Sequence, residues 1–200
     1  SVEHVALAKQ ADLVMVAPAS ANVIGKIAYG IADDMLTTTV MACPCKKMIS
    51  PAMNHNMYHN PIVQDNIQKL ERFGYKMIAP DRGMLANGDD GDGRMPEPEV
   101  LFEYILRELA CEKDLAGKKV LVTAGATMEA IDPVRYITNH SSGKMGCAVA
   151  KAAMQRGAKV TLVAGHMEVL PPMFVDVVNV KSAADMFEAV TKLAPEQDII

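Results

Sequence analysis

The sequence predicts an α/β protein, a doubly wound parallel sheet followed by the opening of a second α/β unit, and three observations carry that expectation. Residues 11–18, 47–50 and 75–79 read as short buried strands, while Ile62, Ile67, Leu70 and Phe73 recur at helical spacing between the second and third. A polar linker at 111–117 is followed by Lys118-Lys119-Val120-Leu121-Val122-Thr123-Ala124-Gly125, a strand entering a glycine turn, and the pattern returns at 159–163, a second Rossmann-like start. Length agrees, since 200 residues at 50% hydrophobic can bury one large or two modest cores.

In chain order, residues 2–10 have helical spacing and run directly into the 11–18 strand, which Pro18 ends. A doubly wound domain normally has an earlier strand with a phosphate-binding turn, so the intact protein is expected to carry one upstream. An Ala- and Ile-rich helix follows Ala19-Ser20-Ala21-Asn22, where Ser20 or Asn22 serves equally well as an N-cap or as a ligand contact at a helix N-terminus. The next strand ends at Pro51, which breaks helices and withholds a backbone donor, so Asn54 belongs to a strand-to-helix loop. Such loops, at the carboxyl ends of parallel strands, are where ligands bind in open α/β sheets, although a solvated helix cap explains Asn54 as well.

Residues 58–74 read as an amphipathic helix closed by Gly74. Residues 81–98, rich in Gly, Asp and Pro, are too long for an idle turn and suggest a flap. A calcium loop fails on spacing there, because counting from Asp90 puts Arg94 at the fifth position and counting from Asn87 puts Pro98 at the twelfth. Helices are expected at 97–108, 143–156 and 183–193, and Asp198-Ile199-Ile200 opens a further strand. The domain boundary is placed so that residues 1–112 form one domain and 113–200 the other. Asn139-His140-Ser141-Ser142-Gly143 approaches a helix N-terminus whose backbone donors can cradle phosphates.

Composition excludes several classes. Charged residues make up 22% with a net charge of −4, which gives no footprint for nucleic acid or an anionic membrane surface. No apolar run has the length of a membrane span and the first residues are not a signal peptide, so a cytoplasmic protein is expected. The four cysteines form no disulfide framework, and Cys43-Pro44-Cys45 lacks a second ligand pair, so no metal site is assigned. Fifteen methionines read as flexible core filling. A dinucleotide dehydrogenase is disfavoured, since Gly125-Ala126-Thr127-Met128-Glu129 is not Gly-x-Gly-x-x-Gly and Gly165-His166 replaces the ribose-binding acid.

Two blocks carry a resemblance. Pro51-Ala52-Met53-Asn54-His55-Asn56-Met57-Tyr58 resembles the Pro-x-Met-Asn-x-x-Met-Trp signature of the flavin-dependent cysteine decarboxylases, with Tyr58 as the aromatic. Ile131-Asp132-Pro133-Val134-Arg135-Tyr136-Ile137-Thr138-Asn139-His140-Ser141-Ser142-Gly143-Lys144-Met145-Gly146 resembles the nucleotide-binding signature of phosphopantothenate–cysteine ligase. In this order they are similar to the bacterial bifunctional coenzyme A biosynthesis family, in which phosphopantothenoylcysteine decarboxylase is fused to that ligase. Both halves are expected to be partial here, because the family's later ligase motifs, including its lysine-rich CTP loop, do not occur.

The resemblance implies a flavodoxin-like first domain of the FMN-dependent cysteine decarboxylase type and a Rossmann-like ligase domain after it. It implies FMN contacts from Ser20, Ala21 and Asn22, within Ala17-Pro18-Ala19-Ser20-Ala21-Asn22, and from Met35, within Ala32-Asp33-Asp34-Met35-Leu36. His4 occupies the family's catalytic histidine position, where an imidazole exchanges protons near neutral pH. Asn54 acts by hydrogen bonding, to the substrate carboxylate. Residues 85–95 look like the substrate-clamping flap, with Gly88, Gly91, Gly93, Arg94 and Met95 in it and Asn87 where many members place a proton-donating cysteine. An amide cannot donate that proton. Either a water or another residue held by Asn87 supplies it, or the enzyme stalls at the oxidised intermediate.

In the second domain the resemblance gives Asn139 the acyl group of an acyl-cytidylate, and Ser141, Ser142, Gly143 and Lys144 the phosphates of CTP; for Lys144 a solvated helix residue is an equal reading. The implied reactions are coupling of 4′-phosphopantothenate to cysteine, with CTP and Mg²⁺, and decarboxylation of 4′-phospho-N-pantothenoylcysteine to 4′-phosphopantetheine. FMN would oxidise the carbon bearing the cysteinyl thiol, creating the electron sink for loss of CO₂, and then return the electrons. The family's decarboxylase half forms trimers, so a homo-oligomer with a trimeric flavoprotein core is expected. A catalytically impaired flavoprotein, acting as an inhibitory subunit of a protein phosphatase as some relatives of this fold do, is the alternative that Asn87 favours. The ligase block argues against a stand-alone peptidyl-cysteine decarboxylase.

Overall fold

The structure, a computed structural model, describes residues 3–84 and 90–200. It divides into two compact units, Ser1–Leu101 and Phe102–Ile200. In the first, α1 (Glu3–Gln10) leads into β1 (Leu13–Ala19), followed by α2 (Ala21–Ala28), α3 (Met35–Ala42) and β2 (Lys46–Pro51). A single turn α4 (His55–Tyr58), then α5 (Pro61–Arg72), β3 (Lys76–Met77) and the strands β4 (Asp81–Met84) and β5 (Asp90–Arg94) complete it. α6 (Pro98–Leu109) contains the division.

β1, β2 and β3 form a parallel sheet with β2 central, in register Leu13 to Lys46 and Val16 to Ile49. Being covered on both faces, β2 buries consecutive residues Met48, Ile49, Ser50 and Pro51 instead of alternating them. The core gathers Val16, Ile24, Val40, Ile49, Ile67 and Leu70 from the sheet and its helices. The expected helix over 58–74 is two elements, because Asn60 caps a new start by accepting from Ile62 N and Pro61 fits the first turn. Its buried face is Asn66, Ile67 and Leu70, whereas Ile62 and Phe73, at its ends, are 71% and 72% exposed. The expected flap is an antiparallel hairpin of β4 and β5.

The second unit has β6 (Lys119–Ala124), the small hairpin β7 (Glu129–Ala130) and β8 (Tyr136–Ile137), α7 (Lys144–Gln155), β9 (Lys159–Ala164), β10 (Asp176–Asn179), α8 (Ala183–Leu193) and a 3₁₀ turn over Ala194–Glu196. Its sheet is parallel in the order β10, β9, β6, and Ile199 bridges Val120 on the open side of β6, the position at which residues 198–200 were expected to begin a strand. β10 and the β7–β8 hairpin are additions to the sequence reading. The core packs Val120, Leu162 and Val160 against Ala150, Ala153 and Met154 of α7, whose small residues let the helix lie close to the sheet. Both units are therefore α/β with parallel sheets. Among the described residues no helix is long and apolar enough to cross a membrane.

Candidate functional site

The first site lies at the carboxyl ends of β1 and β2. Ala52 N donates to Ala19 O at 2.9 Å, which draws the loop after β2 against the start of α2. Ser20 caps α2 by accepting from Val23 N at 3.3 Å, so its hydroxyl proton remains available to an acceptor, and Asn22 is exposed in the first turn. Asn54 caps α4 through its side-chain oxygen, which accepts from Asn56 N at 2.9 Å. That assignment leaves the amide NH₂ as a donor. Cap and ligand contact are thus compatible in one side chain.

The hairpin closes over this loop. Met53 N donates to Gly93 O at 3.0 Å, and a side-chain carbon on Gly93, whose φ is +140°, would lie 2.1 Å from the Met53 carbonyl oxygen. Gly91 is equally confined, since a side-chain carbon there would meet His55 Nδ1 at 2.9 Å. Arg94 forms an ion pair with Glu97 at the foot of the hairpin and Met95 is half-buried beside it. Asn87 and Gly88 lie outside the described residues.

Met35 opens α3 and is exposed. Asp34 caps that helix, accepting from Thr37 N at 2.8 Å, and meets Lys26 Nζ at 3.2 Å. The Thr37 backbone and side-chain bonds, then Lys26, hold the Asp34 carboxyl down at about 2. His4 is half-buried on α1, which packs against α3. No hydrogen bond or ion pair joins His4 to Asn54 or the hairpin among the described residues. The structure therefore brings together Ser20, Ala21, Asn22, Asn54, Gly91 and Gly93, and leaves His4 on a separate element.

An FMN group fits this donor set. Ser20 and Asn22 offer a hydroxyl and an amide at a helix N-terminus, Ala19, Ala21 and Ala52 keep the surface low, and Ser50 Oγ is buried without a partner one residue before Pro51. Sequence reasoning passed over His55, His59 and Asp92, which the hairpin gathers: His59 Nε2 lies 3.0 Å from Asp92 Oδ2, and Asp92 N donates to His55 Nδ1 at 3.2 Å. The available signal was the four-residue spacing of the two histidines, which places both on one side of a helical turn.

The second unit carries its own cleft, of about 390 Å³, lined by Thr123, Gly125, His140, Ser141, Ser142 and Lys144 among others. Gly143 caps α7 in the left-handed conformation, φ +79°, with no side-chain cap, so the first-turn N–H groups stay available to an anion. Asn139 accepts from Ser141 N at 2.9 Å, again leaving its amide NH₂ to donate. Asp132 fixes the preceding turn by accepting from Val134 N and Arg135 N at 2.9 and 2.7 Å, and these bonds hold its carboxyl below the usual range. The four predicted phosphate-binding residues thus share one cleft at the carboxyl end of β6. Among the described residues no carboxylate lines it.

The first unit is a parallel α/β sheet that carries a helix N-terminus, an amide-bearing loop and a glycine hairpin at its carboxyl edge. Residues 1–110 match the Flavoprotein family model and the chain belongs to that family; residues 115–200 match the model of the DNA/pantothenate metabolism flavoprotein C-terminal domain. Similar curated proteins are the coenzyme A biosynthesis bifunctional proteins CoaBC of Vibrio vulnificus (strain YJ016), 49% identical over 199 residues, and Bacillus subtilis (strain 168), 49% identical over 202. These alignments cover 100% of this chain and 49% and 50% of the relatives, so the chain spans about half their length. Among solved structures, a cysteine-to-serine mutant of PPC decarboxylase complexed with pantothenoylaminoethenethiol matches with a TM-score of 0.52 and 36% identity, covering 52% of this chain and 59% of that one.

Proposed function

We propose that this chain carries the flavin half and the opening of the ligase half of a bifunctional coenzyme A biosynthesis enzyme, with the functional boundary in the 111–117 linker. The observation that carries it is the junction of three parts at one sheet edge, made by the Ala52 N to Ala19 O and Met53 N to Gly93 O bonds. The similar decarboxylase bound to an aminoethenethiol supports the choice of a cysteine-derived substrate.

Ser20, Ala21, Asn22 and Met35 hold FMN, which supplies a reversible two-electron oxidation. The Asn54 amide donates to the carboxylate of 4′-phospho-N-pantothenoylcysteine and orients the bond to CO₂. His4 moves a proton at an imidazole nitrogen, brought to the site by oligomerisation of a trimeric core. Gly91, Gly93, Arg94 and Met95 fold the hairpin over the substrate and exclude water, and a water or a residue held by Asn87 delivers the last proton. In the other unit Ser141, Ser142, Gly143 and Lys144 bind the CTP phosphates, with Mg²⁺, and Asn139 holds the acyl group of 4′-phosphopantothenate before cysteine attacks it.

The test uses the intact protein with 4′-phosphopantothenate, cysteine, CTP and Mg²⁺, reading products by mass. The unsubstituted protein forms 4′-phosphopantetheine, Asn54→Ala accumulates 4′-phospho-N-pantothenoylcysteine, and Asn139→Ala forms neither. Phosphopantetheine formed at equal rates by all three would overturn the assignment.

A further inference from the structure

His55 at the start of α4, His59 directly after it and Asp92 of the hairpin meet beside the Asn54 loop. His59 Nε2 and His55 Nδ1 lie 3.0 and 4.0 Å from the same Asp92 Oδ2, and one ligand atom from each residue falls within 4.8 Å of the others. Two donors each about 2.0–2.1 Å from a tetrahedral Zn²⁺ are separated by about 3.4 Å, so the three atoms need to shift by only fractions of an ångström to a few ångströms in total. The imidazoles already sit side by side, with centroids 4.4 Å apart and planes tilted by 58°.

Two further features favour an ion over a simple pair of contacts. All three side chains are partly open, at 43%, 48% and 41% exposure, so an ion can enter and keep water in its remaining positions. Gly91 lets the hairpin backbone press directly onto the His55 ring, where a side-chain carbon would lie 2.9 Å from His55 Nδ1, and this contact confines that ring. Coordination by His55 Nδ1 gives up its weak bond from Asp92 N–H, and the ion then makes the same connection.

We propose that His55, His59 and Asp92 form a binding site for one divalent transition cation of the zinc class, tying the hairpin to the loop that carries Asn54. Two imidazole nitrogens and one carboxylate oxygen suit Zn²⁺, Co²⁺ or Ni²⁺, whereas Ca²⁺ and Mg²⁺ take oxygen sets. The site does not depend on the flavin assignment.

Co²⁺ is the probe, titrated into the intact protein while its visible d–d absorption is followed. The free thiols Cys43, Cys45, Cys111 and Cys147 are the competing ligands, and an intense near-ultraviolet thiolate band reports them. The expected result is saturation at one equivalent without that band, and affinity lower by at least about tenfold, about 1.4 kcal/mol, in His59→Gln and in Asp92→Asn. Unchanged affinity in both variants, a thiolate band, or no saturable binding overturns the site. Should a variant fail to fold, NMR of the unsubstituted protein decides: Co²⁺ must shift the His55 and His59 ring protons before any others, and ring signals that do not move overturn the proposal.

Discussion

Gly93 and Met53 meet backbone to backbone: Met53 N donates to Gly93 O at 3.0 Å, and a side-chain carbon on Gly93 would lie 2.1 Å from the Met53 carbonyl oxygen. The hairpin is therefore registered on the loop that positions Asn54, and its geometry is communicated to that side chain through one peptide unit.

Gly93→Ala removes this registration. At φ +140° alanine is strained by about 1–3 kcal/mol even before the clash. Decarboxylation is expected to fall about 10²-fold through misplacement of the hairpin. Stopped assays with the intact variant, alongside its thermal unfolding, check whether activity is lost while the fold persists.

Asn54→Ala separates the cap from the substrate contact. Loss of the bond from Asn56 N costs about 1 kcal/mol of stability. Removal of a charge-facing donor costs about 10²–10³ in kcat. Urea unfolding and turnover on the same preparation should show a small and a large effect respectively; a decline in turnover no greater than the stability change accounts for would assign Asn54 to the cap alone.

Gly146→Ala tests the close seat of α7 on β6. Helix propensity gains about 1 kcal/mol. The new carbon would lie 2.6 Å from Ala124 Cβ and from Thr123 O, and overpacking of that kind costs about 1–3 kcal/mol. Net destabilisation is expected, larger for Gly146→Val, with weaker CTP binding measured by calorimetry because the cleft is built on the same turn.

Asp34 gives a pH signature. Its folded value of about 2 is depressed from 3.8, so its contribution to stability is present above that unfolded value and is lost as pH falls through the folded one. Asp34→Asn retains a capping oxygen. The Tm difference between the unsubstituted and Asp34→Asn proteins is therefore expected to shrink as pH is lowered from 4 to 2, the window set by those values. A constant difference across the range would contradict the linkage.

Local periodicity made much of the fold legible. The β1 and β2 runs, the glycine turn after β6 and the helices on 97–108 and 183–193 are visible because each is decided by neighbours in sequence. Pro51 and the amides of Asn54 and Asn139 marked loops for the same reason. Pairing over distance was not legible: nothing near Asp92 signals that it returns to His55 and His59, 37 and 33 residues away. β10 (Asp176–Asn179) holds Val177 and Val178 and is flanked by Val175 and Val180, a run that marks a strand, but it follows Pro171-Pro172 and is short. His4 shows the converse limit, since its motif implies a role while the structure places it on α1, with no bond to Asn54 or the hairpin among the described residues.

The most direct measurement supplies 4′-phospho-N-pantothenoylcysteine to the intact, FMN-loaded protein and weighs the product. The account predicts loss of CO₂ and 4′-phosphopantetheine as the product, with the last proton delivered despite Asn87. A product lighter by two hydrogens would place the defect at Asn87 alone, and protein that holds FMN yet releases no CO₂ would contradict the decarboxylase assignment.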